Sequence, residues 1–172
     1  LDAGAAGGGG LSGHLVGGAL AVTLALEIPA AQVTAVDFST SALDVARANA
    51  AALAASVRFV ESDWFAALDP ARFDFIVSNP PYIAENDPHL AQGDVRFEPA
   101  TALASGPAGL DDLHRITAAA PGFLAAGGWL MMEHGYDQAA AVRTLLVAAG
   151  FVEVASAQDL AGIERISFGR RP

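Results

Sequence analysis

Strand-like and helix-like stretches alternate along most of this chain, and that alternation restricts its fold more than any other feature. Residues 32–36 form a short apolar run of β type ending at Asp37, and residues 39–55 open with Ser and Thr before continuing as alanine-rich helix formers. A third strand is expected at 57–60, running into Glu61-Ser62-Asp63, and a fourth at 73–78. The pattern then predicts a helix over 110–124, a turn at Gly127-Gly128, a buried strand over 129–132 and a helix over 139–149 stopped by Gly150. Two strands, 151–155 and 164–168, close the chain without a helix between them, which calls for an antiparallel hairpin at one edge. The remainder implies an α/β fold, a mostly parallel sheet with helices on both faces. Ligands of such sheets sit outside the carboxyl ends of the strands. Leu1 reads as the end of a strand that starts before this sequence, so residues 1–172 are expected to be one domain and a piece of a longer protein.

Residues that carry chemistry gather at those strand ends. Asn79-Pro80-Pro81-Tyr82 follows the apolar strand containing Phe73, Phe75, Ile76 and Val77. Neither proline has an N–H, and each fixes its own φ and restricts the preceding residue, so the backbone is stiff and offers acceptors without competing donors. Asn79 adds a side-chain carbonyl and Tyr82 an aromatic wall, a combination that suits a planar group bearing an NH2. A Pro-Pro turn that merely closes the strand fits the bare tetrapeptide equally well. Asp37 is placed to accept hydrogen bonds from the hydroxyls of a ribose, or alternatively to cap a helix. Asp63-Trp64 can hold the edge and cover the face of a purine, or form an acidic turn over a core tryptophan.

The beginning of the chain is less regular. Asp2-Ala3-Gly4 with the run Gly7-Gly8-Gly9-Gly10 resembles the Gly-rich turn after a first strand, where absent side chains let a ligand approach the backbone; a Gly-rich linker has the same composition. A tight βαβ nucleotide unit places its acidic residue ~20 residues after the glycines, and Asp37 lies much farther than that from Gly4. An inserted loop around 9–18 is one reading of the excess.

Composition removes several classes of function. The formal net charge of −10, with scattered basic residues, opposes sequence-independent binding to a phosphate backbone. With no cysteine there can be no disulfide, thiolate zinc site or cysteine nucleophile, and a reducing cytoplasm is compatible. His14, His89, His114 and His134 show no ligand spacing, so no metal is expected, and Glu133-His134 is noted only as a pair at a pocket edge. The apolar run 19–28 is too short to span a bilayer.

Together with the segments on either side of it, the tetrapeptide gives the chain a resemblance to the protein-glutamine N5-methyltransferases that modify peptide-chain release factors. The similarity runs from residue 19 to about 169. It includes Ala35-Val36-Asp37, Asp63-Trp64-Phe65, Val77-Ser78-Asn79-Pro80-Pro81-Tyr82-Ile83, Phe97-Glu98-Pro99, Gly109-Leu110-Asp111 and Glu133-His134-Gly135-Tyr136. It implies a Rossmann-like class I S-adenosylmethionine-dependent methyltransferase fold, S-adenosylmethionine as methyl donor and the glutamine of a Gly-Gly-Gln loop as acceptor. It further implies that Asp2 and Gly4 face the methionine part of the donor, Asp37 the ribose, and Asp63 and Trp64 the adenine. Asn79 would lie between donor and acceptor, with Pro80, Pro81 and Tyr82 completing the acceptor site. The family's D-x-G-x-G-x-G turn has Ala6 at its second glycine here, and its N-terminal helical docking domain is absent from these residues. The implied protein is a cytoplasmic monomer acting on release factors, without nucleic acid or membrane. Glutamine of a ribosomal protein, a nucleic-acid base, and a non-catalytic cofactor-binding role remain alternatives.

Overall fold

The computed structural model describes residues 12–16, 18–69, 72–85 and 105–172, the first stretch as backbone alone. Asp2, Gly4 and the Phe97-Glu98-Pro99 block lie outside the described residues. Seven strands form one sheet in the order β3-β2-β1-β4-β5-β7-β6. They are β1 (Ser12–Val16), β2 (Gln32–Asp37), β3 (Val57–Glu61), β4 (Phe73–Ser78), β5 (Leu124–Glu133), β6 (Val152–Gln158) and β7 (Glu164–Arg170). β1 to β5 run parallel, while β7 pairs antiparallel with both β5 and β6. The expected hairpin is therefore present, with its second strand turned inward against β5 and its first left at the edge.

Helices cover both faces. On one, α1 (Gly18–Glu27) packs Ala21 over Val33 and Ala35, with Val57, Phe59 and Val77 around them, and α2 (Thr40–Ala52) lies beside it. On the other, α3 (Asp111–Ala119) and α4 (Ala139–Ala148) bury Leu113, Ile116, Val142 and Leu146 against Ile76, Leu130 and Met132. Each of these side chains contributes roughly 1.5–3 kcal/mol through burial, which makes the second face the dominant core.

Local chemistry sets the element ends. Ser39 caps α2 by accepting the Ala42 N–H at 3.3 Å, and Gly150, at φ +85°, ends α4 in the left-handed region that side chains disfavour. The helix predicted over 110–124 stops at Ala119. Pro121 cannot donate to a preceding carbonyl, so the chain closes in a single 3-10 turn, Ala120–Gly122, and Leu124 already opens β5. Gly127-Gly128 does bend the chain, but inside β5. The β4–β5 register jumps between the pairs Phe73↔Leu124 and Phe75↔Trp129, and Gly127, at φ +79°, takes the bulge.

The largest departure from expectation is at the start. The stretch 9–18, read as an inserted loop, contains β1, paired in parallel with β2 on one side and β4 on the other. Its glycines give no strand signal, and the hydrogen bonds of two neighbours supply what propensity does not. Gly18 then opens α1 where a Cβ would lie 2.3 Å from that of Ala46 on α2. Gly18→Ala is expected to cost about 1–3 kcal/mol through this overlap. Urea unfolding should report that loss, and Ala46→Gly in the same chain should recover much of it.

Candidate active site

The sheet registers bring the expected residues to one end. Asp37 terminates β2, the Ser62 N–H donates to its carbonyl at 3.0 Å, and Asn79 follows the last residue of β4. Between β2 and β4 runs β1, so Asp37 and Asn79 stand two strand spacings apart, about 10 Å. A ligand touching both must cross the end of β1, where the chain enters α1. Measured from Gly18, Asp37 comes after roughly the twenty residues of a tight nucleotide unit. Counted from the start of α1 instead of from Gly4, the spacing carries no excess.

Asp37 has one carboxylate oxygen engaged, Oδ1 accepting the Ser39 N–H at 2.9 Å. Among the described residues no hydrogen bond to Oδ2 is seen, which leaves an acceptor at the end of β2. Phe38, unremarked in the sequence, is 63% exposed beside it. Asp63 and Trp64 are both drawn toward α3. Arg115 donates to Asp63 Oδ2 at 2.8 Å, and the Trp64 indole N–H donates to Asp112 Oδ1 at 3.1 Å. Asp112 also accepts the Ser105 hydroxyl at 2.9 Å. Trp64 holds φ at +52°, a strained left-handed conformation for a bulky side chain that costs about 1–3 kcal/mol. The Asp63–Arg115 pair is more than half exposed on both sides, so it contributes orientation more than stability.

In the tetrapeptide, Asn79 is exposed and Pro80 is buried, so the stiff part is anchored and the amide is presented. Behind them the Ser78 hydroxyl is buried and has no hydrogen-bond partner among the described residues. Tyr82 is placed by two residues that the sequence did not single out for this purpose. Its hydroxyl donates to Glu133 Oε1 at 3.2 Å and accepts from Arg165 Nη2 at 3.0 Å, while the Arg165 guanidinium lies 5.5 Å from the ring centroid, within cation–π range. Arg165 and Glu133 close the triangle at 3.6 Å. The pair Glu133-His134 is split at the end of β5. Glu133, the last residue of β5, reaches Tyr82, whereas His134, just past the strand, is fully buried, its Nδ1 2.9 Å from the Gly135 carbonyl and its Nε2 2.8 Å from the Ser167 hydroxyl. Arg115, Asp112, Gln138 and Arg165 carried no periodic or motif signal, because their partners lie far away in the chain.

Among the described residues no group of three or more acidic, His or Cys side chains could hold a metal, and no helix is long and apolar enough to cross a membrane.

Residues 16–106 match the methyltransferase small domain. The chain belongs to that family. A release factor glutamine methyltransferase of Xylella fastidiosa (strain 9a5c) is 58% identical over 156 residues, which cover 90% of this chain and 57% of the relative. The chain thus spans little more than half the length of the curated relatives it matches. A solved methyltransferase from Pyrococcus furiosus superposes with TM-score 0.71 at 19% identity over 95% of this chain and 76% of that one, a likeness of fold. The release-factor-specific protein-(glutamine-N5) methyltransferase of Alicyclobacillus acidocaldarius gives TM-score 0.54 at 28% identity, covering 94% and 80%. The fold is that of the class I S-adenosylmethionine-dependent methyltransferases, as the resemblance implied.

Burial of Tyr82, and secondarily the negative charge of Glu133, raise the phenol pKa above its ordinary 10.0 despite Arg165. Because the folded-state value is raised, the associated stability is fully present below the unfolded value of about pH 10 and is lost as pH rises from there through the higher folded-state value. Of the two tyrosines, one should therefore ionise abnormally late in an ultraviolet titration, and Tyr82→Phe should abolish that late phase.

Proposed function

We propose that the protein transfers a methyl group from S-adenosylmethionine to the side-chain amide nitrogen of the glutamine in the Gly-Gly-Gln loop of peptide-chain release factors. The observation that carries the reading is the exposed Asn79 amide, held at the exit of β4 by a buried proline and backed by relatives that bear this activity in their names. The acidic chain is a poor match for a nucleic-acid backbone, which favours a protein acceptor over a base. Release factors act in the cytoplasm, and a monomer suffices for a site drawn from one chain.

The residues present fit the cofactor. Asp37 Oδ2 is available for a ribose hydroxyl, and Asp63 and Trp64 lie after the neighbouring strand, where an adenine would reach. Asp2 and Gly4, which the resemblance assigns to the methionine part, precede β1 in the chain and lie outside the described residues. Bound, S-adenosylmethionine supplies an electrophilic methyl group on a sulfonium.

The chain's task is then to present a weak nucleophile. A carboxamide nitrogen has its lone pair delocalised into the carbonyl and is not deprotonated near neutral pH. Asn79 Oδ1 accepts one N–H of the glutamine and the Pro80 carbonyl accepts the other, which fixes the amide plane and aims the nitrogen lone pair at the methyl. The same two acceptors stabilise the positive charge that grows on nitrogen as the bond forms. Pro81 keeps the two acceptors in register, and Tyr82 covers the amide plane. Correct placement of two reactants can supply about 7–11 kcal/mol, enough for a site without an acid–base residue. The proton leaves to solvent after transfer, when the methylated nitrogen has become acidic.

Asn79→Ala should retain S-adenosylmethionine affinity in calorimetry and lose about 10²–10³-fold in kcat on a release factor. Asp37→Ala should show the converse pattern, with weakened cofactor binding. Wild-type turnover in Asn79→Ala, binding of NAD in place of S-adenosylmethionine, or methyl transfer to DNA but not to release factor would each overturn the reading.

A further inference from the structure

The side chain of Gln138, just before α4, joins three separate backbone segments around the site. Its Nε2 donates to the Tyr82 carbonyl at 3.0 Å and the Ala108 carbonyl at 3.1 Å, with the Gly109 carbonyl at 3.4 Å, and its Oε1 accepts the Gly135 N–H at 2.8 Å. An amide nitrogen has two protons, so the two shorter contacts use both. The orientation is unambiguous, because the carbonyls need a donor and the Gly135 N–H needs an acceptor. Two glycines leave room for this arrangement. A Cβ on Gly109, which holds φ at +68°, would lie 2.2 Å from the Tyr82 carbonyl oxygen and 2.9 Å from Gln138 Nε2, and one on Gly135 would lie 3.0 Å from Gln138 Oε1. The segment after the tetrapeptide is tied to the same loop by the Glu85 N–H to the Gly106 carbonyl and the Ser105 N–H to the Ile83 carbonyl, both near 3 Å.

We infer that Gln138 is a positioning residue for methyl transfer, a carboxamide clamp that fixes the Tyr82 carbonyl against the Gly109 and Gly135 turns and thereby sets the aim of Asn79 and Pro80. Gln138 touches neither cofactor nor acceptor in this role. The inference rests on the methyl-transfer reading. The clamp acts on the half of the site that receives the acceptor, at the ends of β4 and β5, and not on the ribose side at Asp37. Its loss therefore lowers turnover and leaves cofactor affinity intact.

Gln138→Glu provides a signature that a general loss of structure would not produce. As a carboxylate, the new side chain faces Tyr82 and Ala108 carbonyls with no proton to donate. Protonated, it regains one donor while its other oxygen still accepts from Gly135, so the clamp re-forms. Ionisable groups near it among the described residues are Asp137 beside it in the chain, Tyr82, whose carbonyl it holds, His134 next to Gly135, Glu133 of β5, Arg165 of β7 on the Tyr82 hydroxyl, and Asp111 and Asp112 of α3. They are present in both proteins, so the ratio of variant to wild-type kcat isolates the introduced carboxyl.

The experiment measures kcat on a release factor, S-adenosylmethionine affinity and Tm for wild type, Gln138→Ala and Gln138→Glu. At pH 8 kcat should fall about 10²-fold in both variants, with cofactor affinity held. From about pH 8 to about pH 5.5 the Gln138→Glu ratio should climb as the carboxyl protonates, while the Gln138→Ala ratio stays flat. Wild-type kcat in both variants, parallel loss of cofactor affinity and Tm, or a Gln138→Glu ratio independent of pH would overturn the clamp. If wild type methylates no glutamine, the proposed function fails instead, and the clamp is read from amide hydrogen exchange over 82–85. Faster exchange there in Gln138→Ala supports it, and unchanged exchange overturns it.

Discussion

Ile76 and Val77 are neighbours in β4, and they bury on opposite faces of the sheet, one in the core under α3 and α4 and the other in the core under α1. This double burial, with parallel pairing to β1 on one side and β5 on the other, leaves the strand no freedom to slide, since a one-residue slip would exchange its two faces. The exit point of β4 is fixed as a result. Asn79 can present its amide at the carboxyl end of the sheet because the strand before it is held on both sides and on both faces and the proline after it is buried.

Around that fixed point the residues of the candidate site are supported mainly by groups contributed from distant parts of the chain. Arg115 and Asp112 of α3 hold Asp63 and Trp64, Arg165 of β7 and Glu133 of β5 hold the Tyr82 hydroxyl, and Gln138 holds the Tyr82 carbonyl. The exposed ion pairs among these contribute little to stability, at most about 1 kcal/mol each. Their effect is geometric, because each pins a side chain or carbonyl that borders the strand ends. The hairpin has a structural part in this. With β7 turned inward against β5, Arg165 lies next to Glu133, and an outward placement of that strand would have left Tyr82 without its guanidinium partner.

The strands and helices with strong periodicity were readable without the fold. Gln32 to Val36, the start of α2 at Ser39 and Phe73 to Ser78 were all legible, since short apolar runs and side-chain capping are local properties. Three places were misread for physical reasons that lie outside the local sequence. β1, Ser-Gly-His-Leu-Val, carries little strand signal of its own and is held by two neighbouring strands; the last turn of the predicted helix at 110–124 is cut short by Pro121; and the glycine pair at 127–128 became a bulge within β5. Asp37 and Asn79 could be placed at strand ends from the sequence because each follows a predicted strand directly, while the contacts of Gln138 and Arg165 could not, because their partners are 56 and 83 residues away.

By itself the sequence determined the α/β alternation, the inventory of acceptors at the strand ends and the rigidity of Asn79-Pro80-Pro81-Tyr82, because periodicity, strand termination and the missing proline N–H groups are written residue by residue. Only the tertiary structure decided which strand lies at the centre, which of two adjacent residues, Glu133 or His134, turns to the site, and which distant side chains lock the tetrapeptide in place. Those outcomes depend on strand pairing and on burial against other elements. Such interactions exist only once the chain has closed on itself.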